Sequence, residues 1–349
     1  MKCKAAGFSL VELMVAMVLG LVLLTGVGQI FLATNKSWTL NDELARVQEN
    51  ARVAMDILGG YIRSASYTGC PTQSNLANGL KADSDSREWM AHFDKGILGF
   101  SSGTDTRNRI DSNAISEAIV IHSIDREQGV TISGHDVSNA TLSLTNNHDY
   151  DSGDLLALIT EDCQQVSVFR AGATTGSKEI THSSGGGSNL SNCTSDLKGD
   201  FDCQVGSMGA ESMSHQSSMI APLNSYAFYL RDSNSIPTLY RKKAGEYVSG
   251  NSVSAEALVE GIENIRLLYG VDTDSDGVAN RYRTASDLGL FSTDWLKVTS
   301  VKLELLVRSL IEIAEKPQMY FFAGNRVEPD DLYVRRQFVT TIELRNRAQ

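Results

Sequence analysis

The apolar positions divide the chain into three regimes. From Phe8 to Ala33 they run almost without a break, and this 26-residue stretch holds one charge, Glu12. As a helix it would be about 39 Å long, more than the ~30 Å hydrocarbon thickness of a bilayer. From Leu40 the run thins to a stripe of Leu40, Leu44, Val47, Ala51, Ala54, Leu58, Tyr61 and Ala65, in alternating steps of four and three. That spacing predicts an amphipathic continuation of the same helix. Asp42 with Arg46, and Arg52 with Asp56, place opposite charges four apart on its polar side. Gly59-Gly60 is expected to interrupt the pattern and Tyr67-Thr68-Gly69-Cys70-Pro71 to end it. A helix from Phe8 to about Tyr67 would be ~90 Å long.

Past Pro71 the texture changes to short β-rich runs between turn clusters. Those expected as strands are Ala118–His122, Ala140–Leu144, Leu155–Ile159, Val166–Phe169, Tyr226–Leu230, Thr238–Arg241, Ile265–Tyr269, Val298–Val307, Met319–Phe322 and Gln337–Leu344. Val301, Leu303, Leu305 and Val307 alternate with Lys302 and Glu304, as in antiparallel strands with one wet face. A leading helix followed by such strands is an α+β arrangement, not a βαβ array. A free two-stranded coiled coil competes for the stripe. Ala51, Ala54 and Ala65 are small for such a seam and suit a helix laid closely on a sheet. Residues 171–219, crowded with Ser, Gly, Thr and Asn, are too long for an ordinary connection and read as a functional or disordered loop.

With 349 residues, 42% of them hydrophobic, the chain has room for a sizeable core in one large domain or two ordinary ones. Its net charge is −11, or −13 if Lys2 and Lys4 are removed with a leader. An acidic chain without a basic block is poorly suited to nucleic acid, and no direct nucleic-acid binding is expected.

The first seven residues are short and basic, and their small residues (Ala5, Ala6, Gly7) precede the apolar run. A secretory signal has a shorter apolar region with its cut site after it. A cut after Gly7 would instead leave the apolar helix on the mature protein. Lys2 and Lys4 on one flank place the leader in the cytoplasm and the remainder across the membrane. Glu12 inside the apolar span costs ~2.5–3.5 kcal/mol on the lenient insertion scale and therefore needs a partner. Cleavage after Gly7 would supply one, the new α-amino group of Phe8, on the same chain or on a neighbouring copy.

Gly7-Phe8-Ser9-Leu10-Val11-Glu12-Leu13-Met14 resembles the class III leader of type IV prepilins and type II secretion pseudopilins. The resemblance implies cleavage between Gly7 and Phe8, N-methylation of Phe8 by a prepilin peptidase, and pairing of Glu12 with a neighbouring subunit's N-terminus in a filament. Major pilins commonly carry a proline where this chain has Gln29; here Gly20, Gly26 and Gly28 are left to supply local flexibility. Leu258 to Asp272, Arg46 to Arg52, Ala65 to Cys70 and Thr340 to Asn346 resemble the PilW group of minor pilins, which is related to GspJ-type pseudopilins. Residues 72–219 resemble no family.

The implied organisation is a leader (1–7), a transmembrane and filament-core helix (8–34), its amphipathic continuation (35–68) and a periplasmic, later extracellular, β-rich head (69–349). The implied fold is the type IV pilin one, a long helix on an antiparallel sheet. The implied function is that of a minor pilin that helps prime pilus assembly at the inner membrane and supports twitching, adhesion or DNA uptake. Its implied partners are other minor and major pilins, the prepilin peptidase, the inner-membrane assembly platform and a tip adhesin. A GspJ-like pseudopilin of type II secretion and a calcium-dependent surface adhesin are the competing readings.

Cys3 would leave with the leader, and Cys70, Cys163, Cys193 and Cys203 remain. Four cysteines in an oxidising compartment predict two disulfides with three possible connectivities, of which Cys70–Cys163 and Cys193–Cys203 are expected. Asp272, Asp274 and Asp276 occupy positions 1, 3 and 5 of a calcium-type loop, with Gly277 at position 6. The Val278 carbonyl and Asn280 are the further expected oxygen ligands, but position 12 is Arg283 instead of Glu. An acidic hairpin tip is the alternative. Gly99-Phe100-Ser101-Ser102-Gly103 fits the letters GxSxG, but the residues that follow read as a polar turn, not the helix a nucleophile elbow requires. No other catalytic constellation is present, and the chain is expected not to be an enzyme.

Overall fold

The computed structural model describes residues 9–70, 75–101, 103–172, 178–185, 190–203, 218–248 and 252–347. Gly7 and Phe8 lie outside the described residues. A single helix, α1, runs from Leu10 to Ser64. Its buried side chains are those of Glu43, Val47, Ala51, Ala54, Leu58, Ile62 and, one residue beyond its end, Ala65, with Gly59 buried among them. These side chains fall in steps of 4, 4, 3, 4, 4 and 3, closer to the 3.6 residues per turn of a straight helix than to a coiled-coil heptad. The helix is laid on sheets.

As expected of one helix, α1 runs through Gly59-Gly60 without a break. Two glycines cost roughly 1 kcal/mol each in a helix interior, but they sit between Leu58 and Ile62, both fully buried against the head. Burial of two large aliphatic side chains outweighs that cost. The helix ends at Ser64, earlier than Tyr67, because Ser66 takes φ +63° and its N–H bonds His122 O at 3.0 Å, turning the chain into the head.

Two antiparallel sheets receive the helix. The first has Ile97–Phe100, Ala114–Ile124, Met219–Ser233, Ile236–Val248 and Ser252–Glu260 as successive neighbours. The second is Arg281–Arg283, Ile262–Val271, Val298–Arg308 and Arg335–Glu343, in that spatial order. The buried stripe of α1 shares one core with Phe228, Tyr229, Tyr269 and Leu303 of these sheets and with Trp89 and Trp295 of the short helices Asp85–Ala91 and Thr293–Lys297.

A second, smaller core holds Ile132, Leu142, Leu156, Leu158, Phe169 and Ile180. The 15-residue strand Met219–Ser233 links the two. Its first residues pair with Leu155–Ile159 and Val130–Asp136, and its later ones with Ala114–Ile124. Most pairing is antiparallel, but Asn75–Asn78 runs parallel to both Gln165–Arg170 and Phe201–Asp202. The described parts of 171–219 are more ordered than a loop: they include the short strands Glu179–Thr181, Leu190–Asn192 and Phe201–Asp202. The architecture is α+β, with the long helix packed on antiparallel-rich sheets.

Candidate assembly helix and acidic loop

Every large apolar side chain from Leu10 to Leu32 is exposed, and so is Trp38. Among the described residues none of the head covers this half of α1, and the helix is long and apolar enough to cross a membrane. An apolar surface of that extent requires lipid or other helices around it. The helix passes through Gly20, Gly26 and Gly28 uninterrupted, and a Cβ at any of the three would meet nothing within 4 Å. The hydroxyl of Thr25 donates to Leu21 O at 2.7 Å, so its proton is satisfied within the helix.

Glu12 has a partner within its own chain. Its Oε2 accepts from the backbone N–H of Ser9 at 3.0 Å, while Ser9 Oγ accepts from Val11 N–H at 3.3 Å, closing a capping box at the start of α1. The Ser-x-x-Glu spacing was its visible signal. In the single chain the carboxylate thus holds the helix N-terminus, where the macrodipole also favours a negative charge.

The free half of α1 meets the head at Glu43. This buried carboxylate accepts from Leu310 N–H at 3.0 Å and lies 3.8 Å from Arg46 Nε. Two turns on, Asn50 Nδ2 donates to Glu260 O at 3.0 Å. Near the far end, the Tyr61 ring packs at 4.9 Å from both Tyr226 and Phe228 and its hydroxyl receives Arg241. Asn346 donates to Ala65 O at 3.1 Å, so residues near the C-terminus close over the end of the helix.

Asp272, Asp274 and Asp276 follow the strand Ile262–Val271, and each offers an oxygen within 4.8 Å of the others. Such a triad could hold a metal ion. Partial desolvation raises the Asp272 carboxyl, but N–H bonds from Gly277, Ser275 and Asp274 outweigh this and hold it below the usual carboxylate range. Asn280 closes the loop: its Oδ1 accepts from Thr273 N–H and Oγ1, and its Nδ2 faces Asp274 at 3.2 Å. To serve as an oxygen ligand its amide would have to turn over. The Val278 side chain is exposed beside it.

The GxSxG segment corrects one expectation. A strand, Ile97–Phe100, does precede Ser101, and a two-turn helix, Gly103–Arg109, follows where a polar turn was expected. Arg107 secures that helix by donating to Thr104 and to Ala114 O, contacts set by the tertiary fold as much as by local sequence. Ser101 Oγ donates to Asp105 at 3.2 Å, a weak base for activating a hydroxyl. Gly99 has a packing reason: a Cβ there would lie 2.1 Å from Tyr269 Oη. Cys70 is bonded to Cys163, tying the end of the helix to the head, and Cys193 is bonded to Cys203.

Neither a curated protein nor a solved structure gives a significant match to the chain. Two family models do. Residues 2–28 match the prokaryotic N-terminal methylation motif, the stretch that leads into the exposed half of α1. Residues 227–346 match Type IV Pilus-assembly protein W, covering the later strands of the first sheet and all of the second. The small second core lies outside both matches. A prepilin-type methylation motif at one end, a pilus-assembly segment at the other and a long helix following the motif make the chain similar to the PilW family of type IV pilus-assembly proteins, a structural rather than a catalytic family.

Proposed function

We propose that the protein is a minor pilin that inserts in the inner membrane as a single-pass subunit, head in the periplasm, and then passes into the pilus. The observation that carries this reading is the half of α1 from Leu10 to Leu32, apolar on every face, uncovered by the described residues of the head and bearing one carboxylate near its start. In lipid that surface is solvated by acyl chains. In a filament the same surface is covered by neighbouring helices of minor and major pilins.

A prepilin peptidase cuts between Gly7 and Phe8 and methylates Phe8. Glu12, already turned toward the helix N-terminus, then exchanges the Ser9 N–H for the α-ammonium of an adjacent subunit. Early association of this kind at the assembly platform primes the pilus, with a tip adhesin among the partners, and so supports twitching, adhesion or DNA uptake. Calcium, coordinated by Asp272, Asp274 and Asp276 with the Val278 carbonyl and Asn280, orders the hairpin tip and performs no chemistry.

Mass spectrometry of the mature protein should find methylated Phe8 as the first residue. Glu12→Ala should leave membrane insertion intact and reduce co-purification with other pilins. A mature N-terminus downstream of Ala33, or undiminished pilin association of the variant, would overturn the reading. Loss of type II secretion with intact pili on deletion of the gene would favour the pseudopilin alternative.

A further inference from the structure

Away from α1 and the acidic loop, three ligand-type side chains converge from segments distant in the chain. His92 follows the helix Asp85–Ala91, Asp94 lies in the 3-10 turn Phe93–Lys95, and Asp202 ends the strand Phe201–Asp202. Each offers an atom within 4.8 Å of the others. We propose that His92, Asp94 and Asp202 form a binding site for a divalent transition ion of the zinc class, which fastens the Phe201–Cys203 segment to the first sheet's flank.

Unsatisfied atoms on two side chains carry the argument. His92 is 3% exposed, and neither of its ring nitrogens has a hydrogen-bond partner. Asp94 Oδ1 is likewise buried and without a partner. The two face each other, Nδ1 to Oδ1, at 3.8 Å, too long for a hydrogen bond. Leaving an imidazole nitrogen and a carboxylate oxygen both unpaired in a buried site is costly. An ion between them satisfies both. Two bonds of about 2.0–2.2 Å span at most ~4.2 Å, so the observed gap is within reach, and a tetrahedral site needs the ligands to close by a few tenths of an ångström.

The surroundings fit. The His92 ring is clamped by stacking on Phe291, with centroids 3.9 Å apart and 21° between planes. Its other nitrogen, Nε2, points toward Glu88 Oε1 at 3.7 Å, and Glu88 is held in turn by Arg109 at 2.8 Å. A carboxylate behind the non-ligating nitrogen is the usual outer partner of a metal-bound histidine. Lys95 takes the other Asp94 oxygen, Oδ2, at 2.5 Å and leaves Oδ1 toward His92. Asn78 Nδ2 donates to Asp202 Oδ1 at 2.9 Å and to Ala91 O at 2.6 Å, which fixes Asp202 against the segment bearing His92. One imidazole with two carboxylates suits zinc, cobalt or nickel; calcium and magnesium prefer an all-oxygen set.

The test uses the full chain in mild detergent, purified without a polyhistidine tag and stripped of metal. Titrated with Co²⁺, it should develop d–d absorption saturating at one equivalent, and Zn²⁺ should displace that signal. Asp94→Asn and His92→Gln should each abolish the signal. Asp274→Ala and His135→Gln should retain it, separating this site from the acidic loop and from the pair of His135 and His182, whose Nε2 atoms lie 3.0 Å apart. Near-UV circular dichroism establishes that each variant is folded, and Asp94→Asn serves if His92→Gln is not. Absence of binding at micromolar Co²⁺, or binding that both variants leave unchanged, overturns the site. So does nuclear magnetic resonance showing His92 as an imidazolium at neutral pH with Zn²⁺ in excess.

Discussion

Replacing Glu117 with Gln is expected to stabilise the head at neutral and alkaline pH and to leave it unchanged in acid. Glu117 lies on the strand Ala114–Ile124 and reaches across to the other sheet, where its Oε2 accepts from Leu267 N–H at 2.9 Å. Burial pushes its carboxyl up to about 7, reinforced by the nearby Glu304 charge and opposed by the Leu267 N–H bond and Arg266. In the unfolded chain the same group titrates near the usual 4.5. The folded state therefore holds the proton more tightly. Its contribution is fully present below about pH 4.5 and is lost as pH rises through about 7. At about 1.36 kcal/mol per pH unit, the separation corresponds to roughly 3 kcal/mol, and partial exposure of the carboxylate lowers the expected effect to ~1–3 kcal/mol. Gln stays neutral and can still accept from Leu267.

Urea unfolding of the detergent-solubilised chain can follow the fluorescence of Trp89 and Trp295, both buried. Midpoints of wild type and Glu117→Gln should coincide near pH 4.5 and diverge up to about pH 8, with the variant more stable. Parallel profiles across that range, or a variant less stable at pH 8, would refute the reasoning.

Gly99→Ala should cost roughly 1–3 kcal/mol by overpacking, because its Cβ would meet Tyr269 Oη at 2.1 Å and Cζ at 2.5 Å in a closed core. Adding Tyr269→Phe should recover part of the loss in the same unfolding assay, since the nearest clashing atom is then gone. The chain should melt higher in millimolar calcium than in calcium-free buffer, and Asp274→Ala should remove that difference while leaving the fold intact; an unchanged wild-type melting temperature reduces the loop to an acidic turn.

The helix was legible because a 3.6-residue period survives in residues that have no other reason to be apolar. Val47, Ala51, Ala54 and Leu58 were all on the expected stripe and are buried. Ile62 and Glu43 were not, since a heptad drifts away from a straight helix over several turns. All ten expected strand runs overlap strands, whereas Ile97–Phe100 and Ser252–Glu260 were passed over. The first is four residues including a glycine, and the second is rich in Ala, Ser and Glu, so neither carries a strong alternation. The Ser9–Glu12 box was written locally and could have been found. The Glu43–Leu310 contact and the cluster of His92, Asp94 and Asp202 join residues 267 and 110 positions apart, for which a single sequence holds no local signal.

The buried stripe begins at Glu43, and that starting point makes α1 a lever. Glu12 lies 31 residues before it, about 46 Å along the helix at 1.5 Å per residue. A bend of about 5° at the junction would carry Glu12 sideways by ~4 Å, more than the length of an ion pair. The Glu43–Leu310 and Asn50–Glu260 bonds therefore set the aim of a carboxylate that neither of them touches. If Glu12 pairs with a neighbouring N-terminus as proposed, subunits whose heads pack at slightly different heights would find one another by small rotations at this pivot, with the β-sheets left undistorted.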